Sequence, residues 1–184
     1  MRALLAGERV TVDGRYVKLT DVALDWPPTD SARPTIQAAA TGPRSLRLAG
    51  EVADGTILTG GSAPADVRRA VELAAEGRAA AGRTDAHRIT VYLPVVIGPN
   101  GAERLRADAL NYGESDLFGA FGDAAAVAES VQSLVDAGAT SVVLQPTLDE
   151  TDLESFVAFA ATEVRPLIPT AAPSPRQPRS PRFP

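Results

Sequence analysis

Between positions 34 and 61 the chain reads Pro-Thr-Ile-Gln-Ala-Ala-Ala-Thr-Gly-Pro-Arg-Ser-Leu-Arg-Leu-Ala-Gly-Glu-Val-Ala-Asp-Gly-Thr-Ile-Leu-Thr-Gly-Gly. The order is strand, glycine turn, short helix and second strand, which confines the chain to folds assembled from strand–helix units. Residues 35–40 carry no charged side chain, the pattern of a strand covered on both faces. Thr41-Gly42-Pro43 interrupts them, and Pro43 suits the first position of a helix, where its missing N–H costs nothing. The helix predicted over 43–53 leaves free backbone N–H groups at its start, beside Arg44 and Ser45. A helix start approached through glycine is suited to an anion, so a phosphate at this turn is the first functional expectation. The plainer alternative is that Gly42, and Gly60-Gly61 after the second strand, only permit tight turns.

Three more strand–helix units follow the same logic. Residues 56–59 form a strand followed by a helix over 64–81, whose Val67, Ala70, Val71 and Ala74 make an apolar stripe. The third strand, 89–97, is β-branched, and Pro94 is expected to mark a bulge or an edge. A weak helix near 102–110, a loop over 111–122 rich in glycine and aromatic residues, and a helix over 124–137 come next. The fourth unit is a strand over 140–145 with a helix over 149–167, opened by Asp149 or Thr151 as a cap. Alternation of this kind implies a parallel sheet with right-handed crossovers. A closed barrel needs about 250 residues, so four units suggest half of one, although periodicity alone also fits a small doubly wound sheet.

The flanks differ. Residues 1–6 resemble the last turn of a helix, and 9–12 and 15–19 flank Asp13-Gly14, a signal for a two-residue hairpin turn. Trp26, in Asp-Trp-Pro-Pro, is expected to pack the hairpin and not to serve as a stacking platform. From 169 onward the chain is proline-rich with three arginines and no acid, the composition of a disordered tail. The expected organisation is therefore a helix end and hairpin over 1–33, a half barrel over 34–168 and a tail over 169–184.

Composition narrows the function classes. A length of 184 residues with 45% hydrophobic and 22% charged residues fits a globular domain with a sizeable core. The net charge of −5 lacks the basic footprint of a nucleic-acid binder. No apolar run approaches a membrane helix and no signal peptide opens the chain, so a cytoplasmic location is expected. With no cysteine and His87 as the one histidine, neither a thiolate nor a histidine-based metal site is expected. Every basic residue except Lys18 is arginine, a bias typical of GC-rich coding.

The stretch AAATGPRSLRLAGEVADGTILTGG over 38–61 resembles the middle of the luciferase-like oxidoreductases, flavin- or deazaflavin-dependent enzymes built on a (β/α)8 barrel. Its Gly42-Pro43-Arg44 turn, the Leu-Ala-Gly-Glu run at 48–51 and Ala53-Asp54-Gly55 carry the likeness, which continues through 93–98, 134–146 and 156–167. Within that family it is most similar to the deazaflavin (coenzyme F420) branch typified by methylenetetrahydromethanopterin reductase. The resemblance implies an α/β fold, the C-terminal half (strands 5–8) of a (β/α)8 TIM barrel with an inserted β-hairpin. It also implies a cofactor, coenzyme F420 in preference to FMN, and hydride transfer involving a small organic substrate, with oxygen possible in flavin members.

By the same resemblance the cofactor-binding residues are Ala40, Thr41, Gly42, Pro43, Arg44 and Ser45, with Thr59, Gly60 and Gly61 in a second turn. Tyr112, Phe118 and Phe121 either line a substrate pocket or lid, or form a small hydrophobic cluster under the loop. Asp54 and His87 fall at the wrong ends of their strands for catalysis, and Glu51 reads as a solvated or ion-paired helix position. No catalytic residue is assignable, and strands one to four of such a barrel are not present. The rival expectations are a non-catalytic half barrel that pairs with itself or with a complementary half, or a truncated fragment without activity.

Overall fold

The computed structural model describes residues 1–115 and 117–169. It divides into a unit of residues 1–37 and a second that begins at Ala38. The tail expected to be disordered lies, beyond Pro169, outside the described residues.

In the first unit a helical turn, α1 (Arg2–Leu5), precedes the antiparallel pair β1 (Val10–Asp13) and β2 (Lys18–Val22). The two-residue turn expected at Asp13-Gly14 is not formed. Asp13 stays in the ladder opposite Lys18, and the Gly14 N–H donates to the Val17 carbonyl at 2.9 Å, so the loop runs over 14–17. The register also shifts between Val10 and Val12, with an extra residue in β2. Asp21 takes up that residue with φ of 53°, a left-handed conformation that aspartate tolerates better than most. The Arg9 guanidinium grips its carboxylate at 2.6 and 2.7 Å. Trp26 is 89% exposed, so it does not pack the hairpin as expected.

The second unit is built on the sheet β3 (Gln37–Ala39), β4 (Gly55–Leu58), β5 (Arg88–Val96) and β6 (Ala120–Phe121), with β7 (Ser141–Pro146) also paired to β5. β5 is parallel to β4, β6 and β7. It is the trunk of the unit: Val91, Leu93, Val95 and Val96 are fully buried. Helices α2 (Pro43–Val52), α3 (Pro64–Ala80), α4 (Gly101–Asn111), α5 (Ala124–Asp136) and α6 (Leu153–Phe159) connect and cover the strands. Val67 of α3 and Val127 and Leu134 of α5 seal the core from the helical side. The backbones of α2 and α3 touch. A Cβ on Gly50 would strike the Ala74 carbonyl, and one on Gly77 the Arg47 carbonyl.

Three expectations need correction. Pro94 marks neither a bulge nor an edge: it lies within an unbroken register from Thr90–Ser141 to Val95–Pro146. Its tolerance has a geometric cause. The Ile89 carbonyl accepts the Thr140 N–H and its own N–H donates to the Thr140 hydroxyl, both on the β7 side, whereas the Arg88 N–H donates to the Asp54 carbonyl before β4. Alternate residues therefore address opposite neighbours, and residue 94 addresses the β4 side. There β4 pairing has ended at Val91 and β6 pairing starts only at Val95, so no ladder bond is lost. Second, the predicted loop over 111–122 contains β6. Third, the last helix is capped by Asp152, which accepts the Ser155 N–H at 3.0 Å, and not by Asp149 or Thr151. It continues from α6 through a π-helical turn, Ala160–Val164, and a 3-10 turn, Arg165–Leu167, that contains Pro166.

Candidate functional site

Parallel strands carry their loops of variable chemistry at their C-terminal ends. Here Ala39 at the end of β3, Thr59 and Gly60 after β4, Tyr92 and Pro94 on β5 and Gln145 on β7 border one hollow of about 500 Å³. Asp108 of α4 and Tyr112, Glu114 and Leu117 of the following loop form its outer wall. A second hollow of about 330 Å³ adjoins it, sharing Leu58, Thr59, Gly60, Glu114 and Leu117, and adds Thr41, Gly61, Ser62, Asp66 and Arg69.

Gly60 belongs to both hollows, and its missing side chain shapes them. A Cβ there would stand 3.6 Å from Gln145 Oε1 and 3.7 Å from Pro94 Cγ, filling the cradle between β4, β5 and β7. Gly61 has a different reason. Its φ is +83° and an added Cβ would collide with Leu117, while its carbonyl accepts the Phe118 N–H at 3.1 Å. The loop after α4 is thereby laid down against the β4 turn.

The two helix starts beside the hollows differ electrostatically. At α3 the Asp66 carboxylate accepts the Ala63 N–H at 2.9 Å, so a negative charge already answers that end of the helix dipole. At α2 the cap is Gly42, with Pro43 first in the helix, no side-chain cap and no acid in the first turn. Ser45 Oγ donates to the Gly42 carbonyl at 2.9 Å. Arg44 is exposed beside it. The α2 start thus keeps an unanswered positive dipole end, suited to an anion.

The structure brings Thr41, Thr59, Gly60 and Gly61 to one hollow, with Gly42, Pro43, Arg44 and Ser45 at the adjoining helix start. Ala40 is buried beneath the turn, its N–H donating to the Ile57 carbonyl at 3.2 Å. The three aromatic residues of the loop are dispersed. Tyr112 lines the larger hollow, Phe118 packs against the core, and Phe121 is 45% exposed beside Gly101. A deazaflavin or flavin fits this residue set, because a glycine cradle, apolar walls and a free helix start lie side by side.

Asp108 was not singled out by the sequence reading. It is 4% exposed, and its Oδ1 accepts the Leu148 N–H at 3.0 Å. The signal was available: it falls three residues after Leu105 and beside Ala109, on the buried face of α4. Arg104 holds the same helix to the β7–α6 loop. It bonds Asp149 at 2.6 Å, Glu150 at 3.3 Å and the Ile97 carbonyl at 2.8 Å. The Arg104 guanidinium, helped by the Thr147 hydroxyl, holds the Asp149 carboxyl below its ordinary range.

His87 and Asp54 lie at the opposite, N-terminal ends of β4 and β5. His87 Nε2 is 2.9 Å from the Thr56 hydroxyl, and Arg83 contacts Asp54 at 3.3 Å and the Ala53 and Glu51 carbonyls. Burial, then the charges of Arg78 and Arg83, push the His87 pKa below its usual value. These groups fasten strand starts and do not reach the hollows. Among the described residues no group of three or more acids and histidines is placed to hold a metal, and no helix is long and apolar enough to cross a membrane.

The sequence profile of the luciferase-like monooxygenases matches residues 1–116. The chain belongs to that family. Among its relatives, 5,10-methylenetetrahydromethanopterin reductase of Methanolobus tindarius is 41% identical over 83 residues, 45% of this chain and 24% of the relative. The F420-dependent glucose-6-phosphate dehydrogenase of Beutenbergia cavernae is 38% identical over 109 residues, 58% of this chain and 32% of the relative. A solved F420-dependent secondary alcohol dehydrogenase, in complex with an F420-acetone adduct, superposes with a TM-score of 0.76 at 18% identity. That superposition covers 92% of this chain and 59% of the other. The luciferase-like chain therefore spans less than two thirds of these proteins, and its strand–helix units form part of a (β/α)8 barrel, as the resemblance implied.

Proposed function

We propose that this chain supplies the phosphate-side wall of a deazaflavin site in an F420-dependent oxidoreductase acting on a small organic molecule. The observation that carries the reading is the pair of hollows at the C-terminal strand ends, both lined by Gly60, the smaller adjoining the uncapped start of α2. The relatives named above, two of them F420-dependent by name, favour the deazaflavin over FMN.

Each group has a task in this reading. Backbone N–H groups at the start of α2 and the Arg44 guanidinium hold the phosphate of the cofactor side chain. Thr59, Gly60 and Gly61 let the chain of the cofactor approach the backbone closely, since no side chain intervenes. Leu58, Tyr92, Pro94 and Leu117 exclude water from the reacting surface. When bound, the deazaflavin supplies the carbon that accepts or gives the hydride. The protein's contribution is orientation and a dry wall.

A fluorescence titration of the purified chain with coenzyme F420 and with FMN tests the proposal. Coenzyme F420 should saturate the protein and bind more tightly than FMN. Arg44→Ala should weaken it about tenfold, the loss expected of one charged hydrogen bond. A folded sample that binds neither molecule overturns the reading.

A further inference from the structure

The two adjoining hollows differ in charge, and the difference centres on Asp108. Among the described residues that line the larger hollow none is a lysine or arginine, while Asp108 and Glu114 are both carboxylates. The smaller hollow shares Glu114 and adds Asp66, whose carboxylate accepts the Ala63 N–H, but it also holds Arg69, and the α2 start lies next to it. Glu114 is exposed, where water and salt weaken its field. Asp108 is not: the residue is 4% exposed, and burial of a charge strengthens its interactions.

The Asp108 carboxylate is also held in place. Its Oδ1 is committed to the Leu148 N–H. Its Oδ2 makes no bond among the described residues and is not among the polar atoms sealed from solvent without a partner. A nearly buried carboxylate on the wall of a cavity, with one oxygen anchored and the other neither bonded nor sealed from solvent, favours a ligand that brings a donor. It opposes one that brings a second negative charge.

We propose that Asp108 is a specificity determinant of the larger hollow, selecting a small molecule with an ammonium or hydroxyl head group and rejecting a carboxylate or phosphate. The inference rests on the larger hollow being the substrate's share of the site proposed above. The anionic part of the bound molecules is then confined to the α2 side, and the reacting substrate is an amine or alcohol. Apolar walls from Leu58, Pro94 and Tyr112 suit the carbon skeleton of such a molecule.

Ligand-observed NMR titrations on the full chain with benzylamine, benzyl alcohol and benzoate test it, since the three share a ring and differ in head group. Benzylammonium and benzyl alcohol should bind, with benzoate at least about tenfold weaker. Asp108→Asn keeps an oxygen for the Leu148 N–H while removing the charge. It should shrink the benzylammonium-to-benzoate preference about tenfold, whereas Glu114→Gln should change it by less than about threefold. The proposal fails if no probe binds, if benzoate binds as well as benzylammonium, or if Asp108→Asn leaves the preference intact. Equal effects of the two variants also overturn it. Should Asp108→Asn not fold, the order of the three probes on the unaltered chain decides. Coenzyme F420 titrated separately distinguishes the two readings: loss of cofactor binding with head-group preference retained removes the cofactor site and leaves Asp108 in its role.

Discussion

His87 shows how one side chain's surroundings set a pH dependence. Its Nε2 meets the Thr56 hydroxyl, its Nδ1 is buried without a partner, and Arg78 and Arg83 face it with positive charge, opposed by Asp85 and Asp54. Burial and the two arginines lower its pKa in the folded protein. The sign follows from linkage. As pH falls below the ordinary histidine range, the unfolded chain takes up the proton first, so stability is full above that range and declines below it. Urea unfolding between pH 7.5 and 5 should show that decline in the native chain and a flatter profile in His87→Gln. Parallel profiles would contradict it. Residues such as Gly42 and Gly60 were legible as punctuation in the sequence, because glycine next to proline or at a strand end has few other uses. Asp108 was not, since a weakly patterned helix hides which face is buried until its neighbours are in place.

Among the elements, α2 and α3 touch backbone to backbone, and the contact depends on two glycines inside helices. Glycine there costs about 1 kcal/mol in helix propensity, yet at Gly77 even a methyl group meets the Arg47 carbonyl. Gly77→Ala is therefore predicted to destabilise the chain by about 1–3 kcal/mol in urea unfolding, against the gain that propensity alone would give. Arg83 binds the turn before β4 to the loop before β5, and it draws the Asp85 carboxyl down to about 2. Arg83→Ala should lower the melting temperature, while substitution of exposed Arg88 should leave it nearly unchanged. Strand and helix order was readable along the second unit because apolar periodicity and glycine punctuation agree. The hairpin loop and the last helix were misread for a shared reason: local turn and cap residues compete with longer-range bonds. Asp13 remained in its ladder, and Asp149 was taken by Arg104.

At the scale of the molecule, a row of strand ends presents a cradle, a largely apolar wall and an uncapped helix start at the C-terminal edge of the sheet. The resemblance in sequence gave the fold class and family, while the hollows could not be read from it, because they arise where four separate strand ends and one loop meet. Pro94 illustrates the same limit: its place is permitted by where β4 stops, which no local pattern encodes. Gly60→Val is predicted to leave the unfolding midpoint nearly unchanged and to weaken coenzyme F420 by tenfold or more, by occupying the cradle.

The most direct test of the site is amide hydrogen exchange with and without coenzyme F420. Slower exchange on binding at residues 41–46 and 59–62, with 83–88 unchanged, is the result this account predicts. Saturable binding that protects residues 83–88 instead, or that leaves 41–46 and 59–62 unaltered, would contradict it.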